Sequence, residues 1–82
     1  MAAIYPLYRR LRNGASLYRI EAEDRFTELQ RVGAGWLVHV VVADRYPERV
    51  RLSELILASD HGVEPATEAE FQAAWAVRRS PF

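Results

Sequence analysis

The sequence predicts an α+β fold, in which an antiparallel sheet of four to five strands, two hairpins first, is packed on one face by a C-terminal helix. Three observations carry this prediction. Two alternating segments meet across Asn13-Gly14, a pair suited to the positive φ angles of a tight hairpin turn. A Val-rich run, "WLVHVVVA" at 36–43, follows the glycines of "GAG". Finally, Thr67 and Glu70 have capping-box spacing, and Phe71, Ala74 and Trp75 then lie at i, i+3 and i+4 on one helical face.

Taken in order, segment 4–12 pairs with segment 16–23. A two-residue turn at Asn13-Gly14 sets Tyr8 across from Arg19, whereas a four-residue loop sets Arg10 against Arg19. Like charges directly opposite are unfavourable, so the first register is expected. It puts Leu7, Arg9, Leu11, Tyr18 and Ile20 on one face, and Tyr8, Arg10, Arg12, Leu17 and Arg19 on the other. Segment 26–32, "FTELQRV", has features of both helix and strand, but the following glycines and Val-rich run favour a second hairpin with 36–43. Within 36–43, Trp36, Val38, Val40 and Val42 are assigned to the core, with Leu37, His39 and Val41 on the less buried side.

Asp44-Arg45-Tyr46-Pro47 reads as a turn. "ERVRLSELILAS" at 48–59 reads as a short extended piece around Val50 and Leu52, passing into a helical turn. Asp60-His61-Gly62 reads as a loop. The helix over 67–78 is favoured by its alanines and by acids at its N-terminus and arginines at its C-terminus.

Eighty-two residues make a single small domain spanning 1–82, and its composition is that of a globular protein. There is no cysteine, which excludes disulfides and thiol catalysis. Eleven arginines balance eleven acids, and there is no lysine. Residues 1–20 hold four arginines and no acid. No leader or membrane-spanning run is read from the sequence, so a soluble, cytoplasmic protein is expected.

The candidate interaction surface is an exposed sheet face with Tyr8, Arg10, Arg12, Arg19 and His39. Arginine and aromatic side chains are enriched at protein interfaces, and nine aromatics are more than one helix over a small sheet readily hides. The expected role is therefore a small non-enzymatic binding protein, an accessory or regulatory factor that contacts another protein or a second copy of itself. The alternative is a nucleic-acid-binding module on the same face, with Arg10, Arg12 and Arg19 on phosphates and Tyr8 stacked on a base. Three such contacts give a log–log salt slope of about −2 to −3. Zero net charge weighs against that alternative. No nucleophile, base or metal ligand set stands out: His39 and His61 lack partners at suitable spacing, Gly33-Ala34-Gly35 is a turn, and Glu21 and Glu23 read as a solvated face. No cofactor is implied.

Overall fold

The computed structural model describes residues 4–57 and 62–78. Its elements run β1 (Leu7–Leu11), β2 (Ser16–Ala22), β3 (Arg25–Val32), β4 (Gly35–Val42), α1 (Tyr46–Leu57), β5 (Val63–Pro65) and α2 (Glu68–Ala76). The loop read at Asp60 and His61 lies outside the described residues, as does Arg79.

The sheet is antiparallel throughout, in the order β4-β3-β2-β1-β5. The β1–β2 register is the expected one, with Tyr8 across from Arg19 and Leu7 across from Ile20. Gly14 takes φ 75° and donates its N–H to the Leu11 carbonyl, while Asn13 Oδ1 accepts from the Ala15 N–H. Gly33, at φ 59°, closes the β3–β4 hairpin in the same left-handed region. Segment 26–32 is therefore strand. A register shift between Ile20 and Ala22 marks a bulge beside Glu21.

Two features differ from the sequence expectation. Residues 46–57 form a three-turn helix: the helical turn expected at the end of this stretch is its last part, while Tyr46-Pro47 and the piece around Val50 and Leu52, expected as turn and extended chain, are helical too. Pro47 occupies its first turn, where a missing N–H costs nothing, and Leu52, Leu55 and Ile56 supply an inward face at helical spacing. The fifth strand is Val63–Pro65, which pairs with Arg9–Leu11.

Because α1 exists, the sheet is covered on both faces. On one, Leu52 and Leu55 of α1 pack with Tyr18, Ile20, Phe26 and Val63. On the other, Phe71 and Ala74 of α2 pack with Leu17 and Leu29, flanked by Tyr8, Trp36 and Val38. The C-terminal helix thus covers the Arg/Tyr face, which the sequence reading left open. A helix is about 10 Å across and strands lie about 4.8 Å apart, so α2 cannot shield the whole sheet. Accordingly Val40 and Val42, read as core, are 69% and 55% exposed.

Arg9 lies on the α1 face, and its guanidinium donates to the carbonyls of Leu55 (2.9 Å), Ile56 (3.1 Å) and Tyr8 (2.9 Å). It therefore caps the C-terminus of α1 from a neighbouring strand, where a positive charge also suits the helix dipole. Burial lowers its pKa. The α2 N-terminus is capped by Thr67, whose hydroxyl accepts from the Glu70 N–H at 3.1 Å. The Glu70 carboxylate reaches to Arg10.

Candidate functional site

Strand alternation brings Tyr8, Arg10, Arg12 and Arg19 to one face, beneath and beside α2. His39 lies on the opposite face, level with Glu28, and is hydrogen-bonded to Gln30 at 3.0 Å. The five candidate residues therefore do not form one surface.

Those on the α2 face are unequally engaged. Tyr8 lies 5.7 Å from the Phe71 ring, and its phenol pKa is raised, mainly by burial. Arg19 is 4.9 Å from the Phe71 centroid and 5.3 Å from that of Trp75, and it pairs with Glu21 at 3.1 Å. Glu21 in turn accepts from the Thr27 hydroxyl at 2.7 Å, which with Arg19 draws its carboxyl below the ordinary range. Glu21, expected on a solvated face, is instead half-buried at the bulge, held by Arg19 and Thr27.

Arg10 is held by two acids, Glu64 on β5 at 2.5 Å and Glu70 on α2 at 2.7 Å. These hydrogen bonds raise the Arg10 pKa, and the bond to Arg10 is the main cause that lowers the Glu70 pKa. The two acids come from loop-flanked segments more than fifty residues downstream, so the pairing was not visible in the sequence. Arg12, further out, is mostly exposed and reaches Glu64 only at 3.9 Å.

An open groove of about 590 Å³ lies at this end of the face, between the β1–β2 turn, the start of β4 and the second half of α2. It is lined by apolar Leu17, Trp36 and Ala74, by Arg12 and Arg31, and on one side by the Arg10–Glu64–Glu70 cluster. Arg31 is exposed, sits 5.1 Å from the Trp36 centroid and has no acidic partner among the described residues. Neither Arg31 nor Trp36 was in the candidate set. Carrying the strand register across β2, β3 and β4 would have placed both on the Arg10–Arg12 face. Chemically, the groove offers apolar surface beside two guanidiniums that still have donors to give.

The described residues contain no group of three or more His, Asp or Glu placed to hold a metal ion. They also contain no helix long and apolar enough to cross a membrane. Comparison with protein-family models, curated proteins and solved structures finds no match.

Proposed function

We propose that this chain is a small binding protein that receives an acidic, apolar-bearing segment of another protein in the groove between the β1–β2 turn and α2. The observation that carries this reading is the unequal engagement of the arginines. Arg10 and Arg19 are held closely by Glu64, Glu70 and Glu21, Arg12 reaches Glu64 only at 3.9 Å, and Arg31 has no acidic partner among the described residues; Arg12 and Arg31 line the groove beside Leu17 and Trp36. A carboxylate takes a guanidinium fork in bidentate fashion, and an adjacent Leu, Ile or Phe side chain suits the Leu17–Trp36 floor. Recognition then depends on the apolar anchor for affinity and on the arginines for specificity and rate.

The same observation weighs against nucleic acid as the ligand. Tyr8 packs against Phe71, and the three arginines assigned to phosphates already lie against carboxylates, Arg12 the most loosely at 3.9 Å. Arg12 and Arg31 alone give a salt slope of only about −1.4 to −1.8.

Selection from a displayed random-peptide library tests the proposal, with the winners titrated by fluorescence anisotropy against wild type and Arg12→Glu/Arg31→Glu. Enrichment of sequences with Asp or Glu next to a large apolar residue is expected. The charge reversal should weaken their binding at least tenfold. Enrichment of basic peptides, or affinity indifferent to the reversal, would remove the groove as the site. Tight, salt-steep binding of oligonucleotides instead would replace the protein ligand with nucleic acid.

A further inference from the structure

Hydrogen bonds between antiparallel strands alternate, so each residue of an edge strand points its backbone N–H and C=O either to its neighbour or to the open side. In β4 the direction is fixed by the β3–β4 register and by the Ala43 N–H, which donates to Asp24 across the same ladder. Gly35, Leu37, His39, Val41 and Ala43 point to β3. Trp36, Val38, Val40 and Val42 point outward.

Both ends of this outward row are occupied. Trp36 forms a parallel bridge with Arg78 after α2, and the Val42 carbonyl accepts the Asp44 N–H at 3.0 Å. Among the described residues nothing pairs with the stretch from Val38 to Val42, whose midpoint is Val40.

Edge strands usually carry a protection: shortness, a proline, a charge or a bulge. The opposite edge of this sheet has two of them, since β5 is three residues long and ends in Pro65. β4 has none. It is eight residues long, pairs with β3 without a register break, and has no charged residue or proline. Its Val40 and Val42 side chains stand exposed beyond the reach of α2.

We infer that β4 pairs with β4 of a second copy of this chain, antiparallel and with Val40 on the two-fold axis, to join two five-stranded sheets into one. A second copy fits because the strand is complementary to itself. In this register Val40 meets Val40, Val38 meets Val42, and His39 meets Val41, so no like charges oppose one another. The exposed valines of both copies form one apolar row between the two α2 helices. A charged or Pro-bearing partner strand gains nothing from this surface. One edge strand buries less than the ~800 Å² per partner of a standard interface, so the dimer is a concentration-dependent one.

The test is sedimentation velocity from roughly 10 to 300 µM, the range in which a small interface associates, combined with cysteine scanning in this cysteine-free chain. The expected mass rises from the 9.4 kDa monomer towards twice that value. Val40→Pro should stay monomeric with its melting temperature little changed, because the Val40 N–H points away from β3 and makes no bond among the described residues. Val40→Lys should do the same by charge, should the proline variant not fold. Under mild oxidation Val40→Cys should cross-link by itself, since directly opposed residues lie within disulfide reach. Val38→Cys and Val42→Cys should cross-link only when mixed. A monomer at the highest concentration, dimers that persist in both Val40→Pro and Val40→Lys, or Val38→Cys cross-linking alone as readily as Val40→Cys would overturn the inference.

Discussion

Phe71→Ala tests whether α2 closes the Arg/Tyr face. Phe71 is fully buried, stands between the rings of Tyr8 (5.7 Å) and Trp75 (6.1 Å), and carries the Arg19 guanidinium over its face. It is the one large, fully buried side chain of a nine-residue helix, since its buried companion is Ala74. Truncating a buried phenylalanine costs about 3–5 kcal/mol, which already includes the lost ring contacts. A domain of 82 residues has roughly 4–12 kcal/mol of stability in all. The variant should therefore lose roughly a quarter or more of its stability. At roughly 4–8 °C per kcal/mol for a domain of this size, the melting temperature should fall by more than ~12 °C. Urea denaturation followed by circular dichroism and by tryptophan fluorescence gives the value. If α2 detaches before the sheet unfolds, the Trp75 signal will change at lower urea than the β signal. A loss under about 1 kcal/mol would mean that Phe71 is not an anchor, and the face would be open as the sequence alone suggests.

Arg9→Met keeps the aliphatic stem but leaves the Leu55 and Ile56 carbonyls without their donor. It should cost about 1–3 kcal/mol, read in the same denaturation assay, with protection from hydrogen exchange lost first in the last turn of α1. Thr67→Ala removes the α2 cap and should cost about 1 kcal/mol. Glu21 and Glu70 have carboxyl pKa values lowered in the folded state, so the unfolded chain binds more protons. Their contribution is full above the ordinary glutamate pKa of 4.5 and is lost as pH falls through the lower folded values. Melting temperatures from pH 7 to pH 3 should show a shallower acid limb for Glu21→Gln than for wild type.

What was legible in the sequence is what local chemistry determines. Asn13-Gly14, the glycines before β4 and the Thr67–Glu70 spacing mark two hairpins and a capped helix that the structure has, although the first turn closes over Leu11–Gly14, with the Gly14 N–H on the Leu11 carbonyl, and not as a two-residue turn centred on Asn13-Gly14. The β1–β2 register was legible because the alternative four-residue loop would set Arg10 against Arg19, whereas the observed register pairs Tyr8 with Arg19. Only the last turn of α1 was legible, for a physical reason: exposed Tyr46, Val50 and Leu57 surround the Leu52–Leu55–Ile56 face, so its apolar pattern is blurred. β5 was missed because three residues ending in proline carry no strand pattern. The candidate surface failed as a unit through the same gap. Without α1 and β5 the sheet seemed to have one bare face, and Glu64 and Glu70 had no assigned partner. Strand parity alone was enough to separate His39 from Arg10, and to bring Arg31 and Trp36 to it.

The groove is the centre of the functional account, and Arg31 is its most discriminating residue because it bonds to no acid among the described residues and reaches out over Trp36. The most direct measurement is isothermal titration of a peptide with adjacent glutamate and leucine against wild type, Arg31→Glu and Arg19→Glu, with folding checked by circular dichroism. The account predicts saturable binding that Arg31→Glu weakens tenfold or more and that any folded Arg19→Glu variant largely retains. Equal affinity for wild type and Arg31→Glu, or no binding to either, would contradict it.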